Sequence, residues 1–104
     1  MLLKGKTAVV TGCNRGIGLS ILKTFSTNGA QVFACVRKTS SDFKNKIEKI
    51  SKETGNKIDV VEFDLENETE IEQGISQIKK VTNSVDILVN NAGINQMSLF
   101  QMTT

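Results

Sequence analysis

The sequence alternates short apolar runs with segments of helical period along its length. The runs Thr7 to Thr11, Gln31 to Val36 and Ile58 to Phe63 predict three strands, and Asp86 to Val89 begins a fourth. Such alternation is typical of βαβ units and a parallel sheet. Right-handed crossovers then give the strand order 3-2-1-4, with the fourth strand at an edge. We therefore expect an α/β fold whose four strands correspond to the N-terminal half of a doubly wound parallel sheet.

Helix start and stop signals lie between these runs. Ser40 or Ser41 can cap the second helix, which Gly55 ends, and Asn67 can cap the third. Gly29 ends the first helix. Four apolar residues at helical spacing predict the buried stripe of that first helix: Ile17, Ile21, Leu22 and Phe25.

Composition excludes several classes of function. The 104 residues fit one domain, and 13 basic against 11 acidic residues give a net charge of +2, too small to indicate nucleic acid or an anionic membrane. No apolar run approaches the ~20 residues of a membrane span, and the N-terminus lacks the apolar stretch of a signal peptide, so we expect a cytoplasmic protein.

Side chains for metal binding and proton transfer are scarce. Cys13 and Cys35 have no C-x-x-C spacing and the chain has no histidine, so neither a disulfide framework nor a zinc site is indicated. The chain also has no tyrosine. Carboxylates and lysines are the remaining candidates for proton transfer, which limits any chemistry that these residues perform alone.

Segment 11–18, which reads TGCNRGIG, connects the first strand to the first helix. Its glycines allow a tight turn and a close approach of backbone to a ligand, and the helix N-terminus behind them attracts anions. The order of strand, glycines and helix predicts a cradle for the pyrophosphate of a dinucleotide. A plain connection between strand and helix is the alternative interpretation.

The end of the second strand indicates which dinucleotide is bound. An acidic residue ~20 positions after the glycine turn would bind an unmodified ribose. Here the strand is followed instead by Arg37 and Lys38, which suit the 2′-phosphate of NADP, and Arg15 could approach that phosphate from the turn. Alternatively, the three cations are ordinary surface charges.

Polar residues also follow the third and fourth strands. Asp64, next to Leu65, either caps local backbone groups or accepts a hydrogen bond from an adenine amino group. The fourth strand runs into segment 90–93, which reads NNAG and brings backbone close to a ligand.

Together these motifs resemble the short-chain dehydrogenase/reductase family, in its NADP-preferring branch. The similarity rests on TGxxxGIG at 11–18, Asp64-Leu65 and NNAG at 90–93, and it extends from Lys4 to the end of the chain. It implies a Rossmann-type fold that reduces a carbonyl or oxidises an alcohol. The motifs are most similar to those of 3-oxoacyl-carrier-protein reductases and their relatives that act on sugars, steroids and small ketones.

The resemblance also assigns roles to residues. It implies contacts of the turn with the pyrophosphate and adenosine end, of Arg37 with the 2′-phosphate, and of Asp64 and Leu65 with adenine. Asn90 would stabilise the sheet. Cys13 stands where the family often has alanine or serine, which changes little because the backbone makes the contact. The residues of the turn that it assigns to the pyrophosphate and adenosine end are Gly12, Asn14, Arg15, Gly16, Ile17 and Gly18. The residues that it assigns to the nicotinamide ribose are Asn91, Ala92 and Gly93.

The family's catalytic serine, its Y-x-x-x-K pair and a further asparagine lie beyond NNAG, and none can be assigned here. One hypothesis is that residues 1–104 are a single NADP-binding half-domain of a longer reductase whose catalytic half is absent from this chain. Its substrate would be a small carbonyl or alcohol compound, either free or bound to a carrier protein, and the full protein would be a homodimer or homotetramer. The alternative is a complete, non-catalytic module that binds a nucleotide or a partner.

Overall fold

The computed structural model describes residues 2–14 and 16–91. Strands and helices alternate throughout this part of the chain: β1 (Thr7–Thr11), α1 (Gly16–Thr27), β2 (Gln31–Val36), α2 (Ser41–Thr54), β3 (Ile58–Glu62), α3 (Glu68–Val81) and β4 (Ile87–Asn90). The strands pair in parallel, in the order β3-β2-β1-β4. The predicted α/β class and strand order are confirmed.

The strand register brings the carboxyl ends of the central strands together. Thr11, the last residue of β1, pairs with Cys35 of β2 on one side and with Asn90 of β4 on the other. At the opposite end of β1, the carboxylate of Asp86 accepts a hydrogen bond from the Thr7 amide at 2.9 Å. The loops that follow β1, β2 and β4 therefore leave the sheet at the same level, as a shared ligand site requires.

The sheet separates two apolar layers. Successive residues of a strand point to opposite faces, so Val10 packs in the layer under α1 and α2, whereas Val9 packs in the layer under α3. Leu22 of α1 and Ile71 of α3 are fully buried in these two layers. Both faces of the central strands are therefore covered, which explains their continuous apolar sequences.

The helices start and stop where the sequence predicts. Ser40 caps α2 by accepting from the Phe43 amide at 3.1 Å, and Gly55 ends it with a left-handed φ of 74°. Asn67 caps α3 by accepting from the Glu70 amide at 3.1 Å.

The predicted stripe of α1 was wrong at Ile17, which is 72% exposed. Its side chain lines an open, largely apolar groove of about 560 Å³ between α1 and β4, together with Ile21, Phe25 and Val89. The reason is the position of β4, which is the edge strand of this sheet. No element in the described part of the chain continues the sheet past β4 to cover this side of α1.

Within residues 2–14 and 16–91, no helix has both the length and the apolar character needed to cross a bilayer.

Gly74 tests the packing of α3 on the sheet. A Cβ atom at this position would lie 2.8 Å from Cε1 of Phe63 and closer still to Cδ1. We expect Gly74→Ala to lower the free energy of unfolding by about 1–3 kcal/mol through overpacking, although alanine usually stabilises a helix. Urea unfolding measures the change. The control is Ser76→Ala, at an exposed position of α3, which should be neutral or stabilising; a stabilised Gly74→Ala variant would contradict this packing.

Candidate nucleotide-binding site

A crevice of about 540 Å³ opens at the carboxyl ends of the strands. It extends from the segments after β2 and β3, across the loop after β1, to Asn91 after β4, and so includes the point where the strand order reverses. Such a crevice is the usual ligand site of an open parallel sheet. Residues from the ends of β1 and β2 and from the segments that follow each of the four strands line it: Thr11, Gly12, Asn14, Cys35, Val36, Arg37, Phe63, Asp64, Leu65, Glu66 and Asn91.

The turn between β1 and α1 needs glycine at two positions for its backbone conformation. Gly12 and Gly16 have φ values of 61° and 54°, a left-handed region that side chains disfavour. The Gly12 amide donates to the Cys35 carbonyl at 3.1 Å, which holds the turn against β2. Apart from its chain neighbours and the backbone of its own helix, no atom of residues 2–14 and 16–91 would lie within 4 Å of a Cβ atom at Gly16.

Gly18 allows the start of α1 to lie directly against the turn. A Cβ atom there would collide with the Gly12 carbonyl oxygen and lie 2.7 Å from Nδ2 of Asn91 and 2.9 Å from Cα of Cys13. Asn91 itself donates from Nδ2 to the Gly12 carbonyl at 3.1 Å. The turn, the first turn of α1 and the end of β4 therefore form one tightly packed joint.

The N-terminus of α1 differs from those of the other two helices in its charge. The first turn of α1 carries no acidic residue, whereas Asp42 lies in the first turn of α2, and Glu68 and Glu70 lie in that of α3. The first backbone amides of a helix lack intrahelical acceptors and lie at the positive end of its dipole. Without a carboxylate to compete, this terminus suits an external anion such as a pyrophosphate.

The end of β4 is joined to β1 by side chains. Oγ1 of Thr11 lies 3.2 Å from Oδ1 of Asn90, close enough for the hydroxyl to donate. Asn91 then reaches the Gly12 carbonyl, as described above. The two asparagines thus fix the position at which the chain enters the segment that follows β4.

Arg37 and Asp64 meet at the mouth of the crevice. Nε of Arg37 lies 3.3 Å from Oδ2 of Asp64, and the Arg37 side chain is 77% exposed. The other carboxylate oxygen of Asp64 accepts from the Glu66 amide at 2.9 Å. Asp64 therefore caps local backbone, one of the two roles that the sequence left open, and it also contacts the cation after β2. An ion pair this exposed contributes little stability, so its main effect is on the orientation of Arg37.

The two cysteines are buried beneath the site. Sγ of Cys13 lies 3.5 Å from the carbonyl oxygen of Cys35, which lies at the end of β2. Burial raises the pKa of the Cys13 thiol to about 12. Burial, with a smaller contribution from a charged Cys13, raises the pKa of Cys35 further. Both thiols are therefore protonated and unreactive at neutral pH.

The structure brings together six of the residues predicted for the cofactor. Gly12, Asn14, Arg37, Asp64, Leu65 and Asn91 all line the crevice. Cys13 and Gly18 are buried beneath it, whereas Gly16 and Ile17 begin α1 and line the separate groove beside β4. Arg15, Ala92 and Gly93 lie outside the described residues.

Sequence reasoning missed the residues that hold the loops around the crevice. The Thr39 amide donates to Oε2 of Glu62 at 2.7 Å, and the Asp64 amide donates to Oε1 of Glu70 at 3.0 Å. The Glu62 contact joins residues 23 positions apart, and no motif marks it. Glu70 follows the capping residue Asn67 by three positions, a pattern typical of a capping box, which could have indicated its backward contact.

A glycine turn at the end of β1, an anion-accepting helix N-terminus and a crevice at the point of strand reversal define a dinucleotide-binding α/β fold of Rossmann type. Comparison with known proteins gives the family. The family model of short chain dehydrogenases matches residues 6–104. The chain belongs to the short-chain dehydrogenase/reductase family.

Individual relatives differ in what they act on. The chain is 36% identical over 102 residues to a 3alpha-hydroxysteroid dehydrogenase of Mediterraneibacter gnavus, covering 96% of this chain and 40% of the relative. It is 36% identical over 99 residues to the 3-oxoacyl-(acyl-carrier-protein) reductase FabG of Aquifex aeolicus, covering 94% of this chain and 39% of the relative.

A solved structure shows the same fold. L-sorbose reductase from Gluconobacter frateurii, in complex with NADPH and L-sorbose, superposes with a TM-score of 0.80 at 29% identity. The match covers 88% of this chain and 35% of the reductase. The chain spans 30% of the length of a short chain dehydrogenase of Pseudocercospora fijiensis and 40% of that of the hydroxysteroid dehydrogenase. It therefore spans between 30% and 40% of the length of these relatives.

The raised thiol pKa values predict a loss of stability at high pH. Below the ordinary thiol pKa of 9.0 the cysteines are protonated in both states; above it the unfolded chain releases protons that the folded chain retains. We expect the free energy of unfolding to fall by about 1 kcal/mol per thiol for each pH unit above 9. Denaturant unfolding between pH 8 and 10 measures the slope. In a Cys13→Ala/Cys35→Ala variant the free energy of unfolding should depend less steeply on pH. An equally steep decline would show that the two thiols are not its cause.

Proposed function

We propose that this chain is the NADP-binding half of a short-chain oxidoreductase that transfers hydride between NADPH and a carbonyl or alcohol substrate. The observation that carries the proposal is Arg37 at the mouth of the crevice, beside Asp64 at 3.3 Å and followed in sequence by Lys38. A guanidinium at the end of β2, where an NAD-binding protein would place a carboxylate, fits a ribose 2′-phosphate.

The residues of the crevice fit the shape and charge of NADP. The amides at the start of α1 and the glycine turn would hold the pyrophosphate, with open space above Gly16 for its oxygens. Arg37 would bind the 2′-phosphate through its terminal amino groups, because its Nε is the atom next to Asp64. The adenine would lie against Asp64 and Leu65, both of which line the crevice.

The nicotinamide end would follow the end of β4. Asn91 lines the crevice and is held by its bond to the Gly12 carbonyl, so it can direct the next residues along the nicotinamide ribose. We propose Ala92 and Gly93 for this contact, and Arg15 as a second cation near the 2′-phosphate. NADPH supplies the hydride when bound, and these residues orient its ring.

Proton transfer would come from a part of the protein beyond these residues. The chain has no tyrosine and no histidine, and it spans 40% or less of the relatives described above. The half-buried edge strand β4 and the apolar groove beside it, which Ile17 lines, give a surface on which further secondary structure could pack. We therefore propose that residues 1–104 form one half-domain and that a following segment carries the catalytic groups.

The substrate is proposed only as a class. The relatives are named for an acyl carrier protein thioester, a steroid and a sugar, so their shared chemistry is the carbonyl/alcohol pair. A 3-oxoacyl thioester on a carrier protein is our first candidate because FabG is among them. A homo-oligomeric full-length protein and a cytoplasmic location remain predictions from the sequence.

Replacing Arg37 tests the proposal. In the longest natural polypeptide that contains this chain, Arg37→Gln should weaken NADPH binding by about 10- to 100-fold, the value of charge-assisted hydrogen bonds to a phosphate. Affinity for NADH should change by less than about twofold, because NADH has no 2′-phosphate. Parallel fluorescence titrations with NADPH and NADH measure both constants.

Lys49→Gln, which removes a cation from an exposed position of α2, is the matched control and should change neither constant. If Arg37→Gln leaves NADPH affinity unchanged, or weakens both cofactors equally, Arg37 does not read the phosphate. Reduction of a 3-oxoacyl thioester by the same polypeptide would support the substrate class. A native polypeptide that binds NADPH but reduces no carbonyl compound would favour the alternative of a non-catalytic module.

A further inference from the structure

The turn between β2 and α2 carries two of the three cations that the sequence offers for the 2′-phosphate, Arg37 and Lys38. It comprises residues 37–40, from Arg37 to the capping residue Ser40. Arg37 and Lys38 are exposed, and neither lies in a helix or strand that would fix its backbone. A turn of this kind has to be held from outside if its cations are to face the crevice before a ligand arrives.

The end of β3 holds this turn at three successive residues. The Phe63 amide donates to the Val36 carbonyl at 3.0 Å, just before the turn. Asp64 contacts Arg37 at 3.3 Å. Glu62 accepts from the Thr39 amide at 2.7 Å, which is the shortest of the three contacts and has a charged acceptor.

The hydrogen bond to Glu62 is the polar contact that holds Thr39 in the turn. Its hydroxyl Oγ1 is buried and has no hydrogen-bond partner among the described residues, so the side chain itself supplies no polar contact that fixes the turn. The backbone amide of Thr39 bonds the Glu62 carboxylate instead. Glu62 is exposed and is not among the residues that line the crevice in the described part of the chain, so its effect on a ligand would be indirect.

We propose that Glu62 is a positioning residue for cofactor selection: its carboxylate holds the Thr39 amide and so keeps Arg37 and Lys38 directed at the ribose 2′-phosphate. This inference rests on the proposed NADP function. It predicts that loss of Glu62 weakens NADPH binding, whereas simple electrostatics predicts that it strengthens NADPH binding. Removing a negative charge near a phosphate should strengthen phosphate binding, whereas releasing the turn should weaken it, because the ligand must then order the two cations.

Two substitutions at Glu62 separate these effects. Glu62→Ala removes both the charge and the hydrogen-bond acceptor, whereas Glu62→Gln removes the charge and keeps an acceptor oxygen. In the longest natural polypeptide that contains this chain, Glu62→Ala should lower the ratio of the NADH Kd to the NADPH Kd by about three- to tenfold, through a weaker NADPH complex. Glu62→Gln should retain most of the ratio. Glu72→Ala, at an exposed position of α3, is the control for loss of one carboxylate and should leave the ratio unchanged.

Hydrogen exchange of the Thr39 amide gives a second, ligand-free measurement. Exchange should become about tenfold faster or more in Glu62→Ala and stay close to wild type in Glu62→Gln, because only the alanine variant lacks an acceptor. Unchanged exchange in the alanine variant would overturn the proposal.

The outcomes of the titrations are also distinct. Equal weakening of both cofactors would make Glu62 a merely structural residue and overturn the inference. A higher ratio in both Glu62 variants would assign it an electrostatic role and overturn the inference as well. A wild type that prefers NADPH, with an unchanged preference in Glu62→Ala, overturns the inference alone. A wild type that binds the two cofactors equally overturns the proposed function, and the inference with it.

Discussion

The contact between Gly18 and the turn after β1 is the constraint on which the site depends. A side chain at this position would collide with the Gly12 carbonyl and with Asn91, so glycine is what permits the start of α1 to lie against both β1 and the end of β4. This contact holds the start of α1 against the turn whose residues Gly12 and Asn14 line the crevice. The polar groups of three separate loops lie close together because each loop leaves the sheet at the same level. The packed joint between the turn, α1 and the end of β4 holds the start of α1 at that level.

The positions of the charged residues around the crevice, rather than their total number, make the site suitable for an anion. Carboxylates lie in the first turns of α2 and α3, and the first turn of α1 has none. Asp64 contacts Arg37 at the mouth of the crevice, and Glu62 accepts a hydrogen bond from the Thr39 amide in the turn after β2. A phosphate that enters the crevice would therefore meet cations on a turn that these contacts already hold in place. The net charge of +2 gives no indication of this arrangement.

Much of this architecture could be predicted because it depends on local patterns. Apolar runs, caps and glycine stops gave the strands, their order, and the helix ends at Ser40, Gly55 and Asn67. The glycine turn and the polar residues after the strands indicated the crevice. Ile17 was misplaced because helical spacing cannot show that its neighbour β4 is an edge strand. The bond between Thr39 and Glu62 was missed because it depends on side-chain geometry across β2 and β3, which sequence spacing does not encode.

A crystal structure of the longest natural polypeptide that contains this chain, in complex with NADP, would locate both phosphate groups of the cofactor. We expect the pyrophosphate over the N-terminus of α1 and the 2′-phosphate beside Arg37, with Arg37 still in contact with Asp64 and Thr39 still bonded to Glu62. A cofactor bound away from the α1 N-terminus, or a 2′-phosphate that Arg37 does not contact, would contradict it.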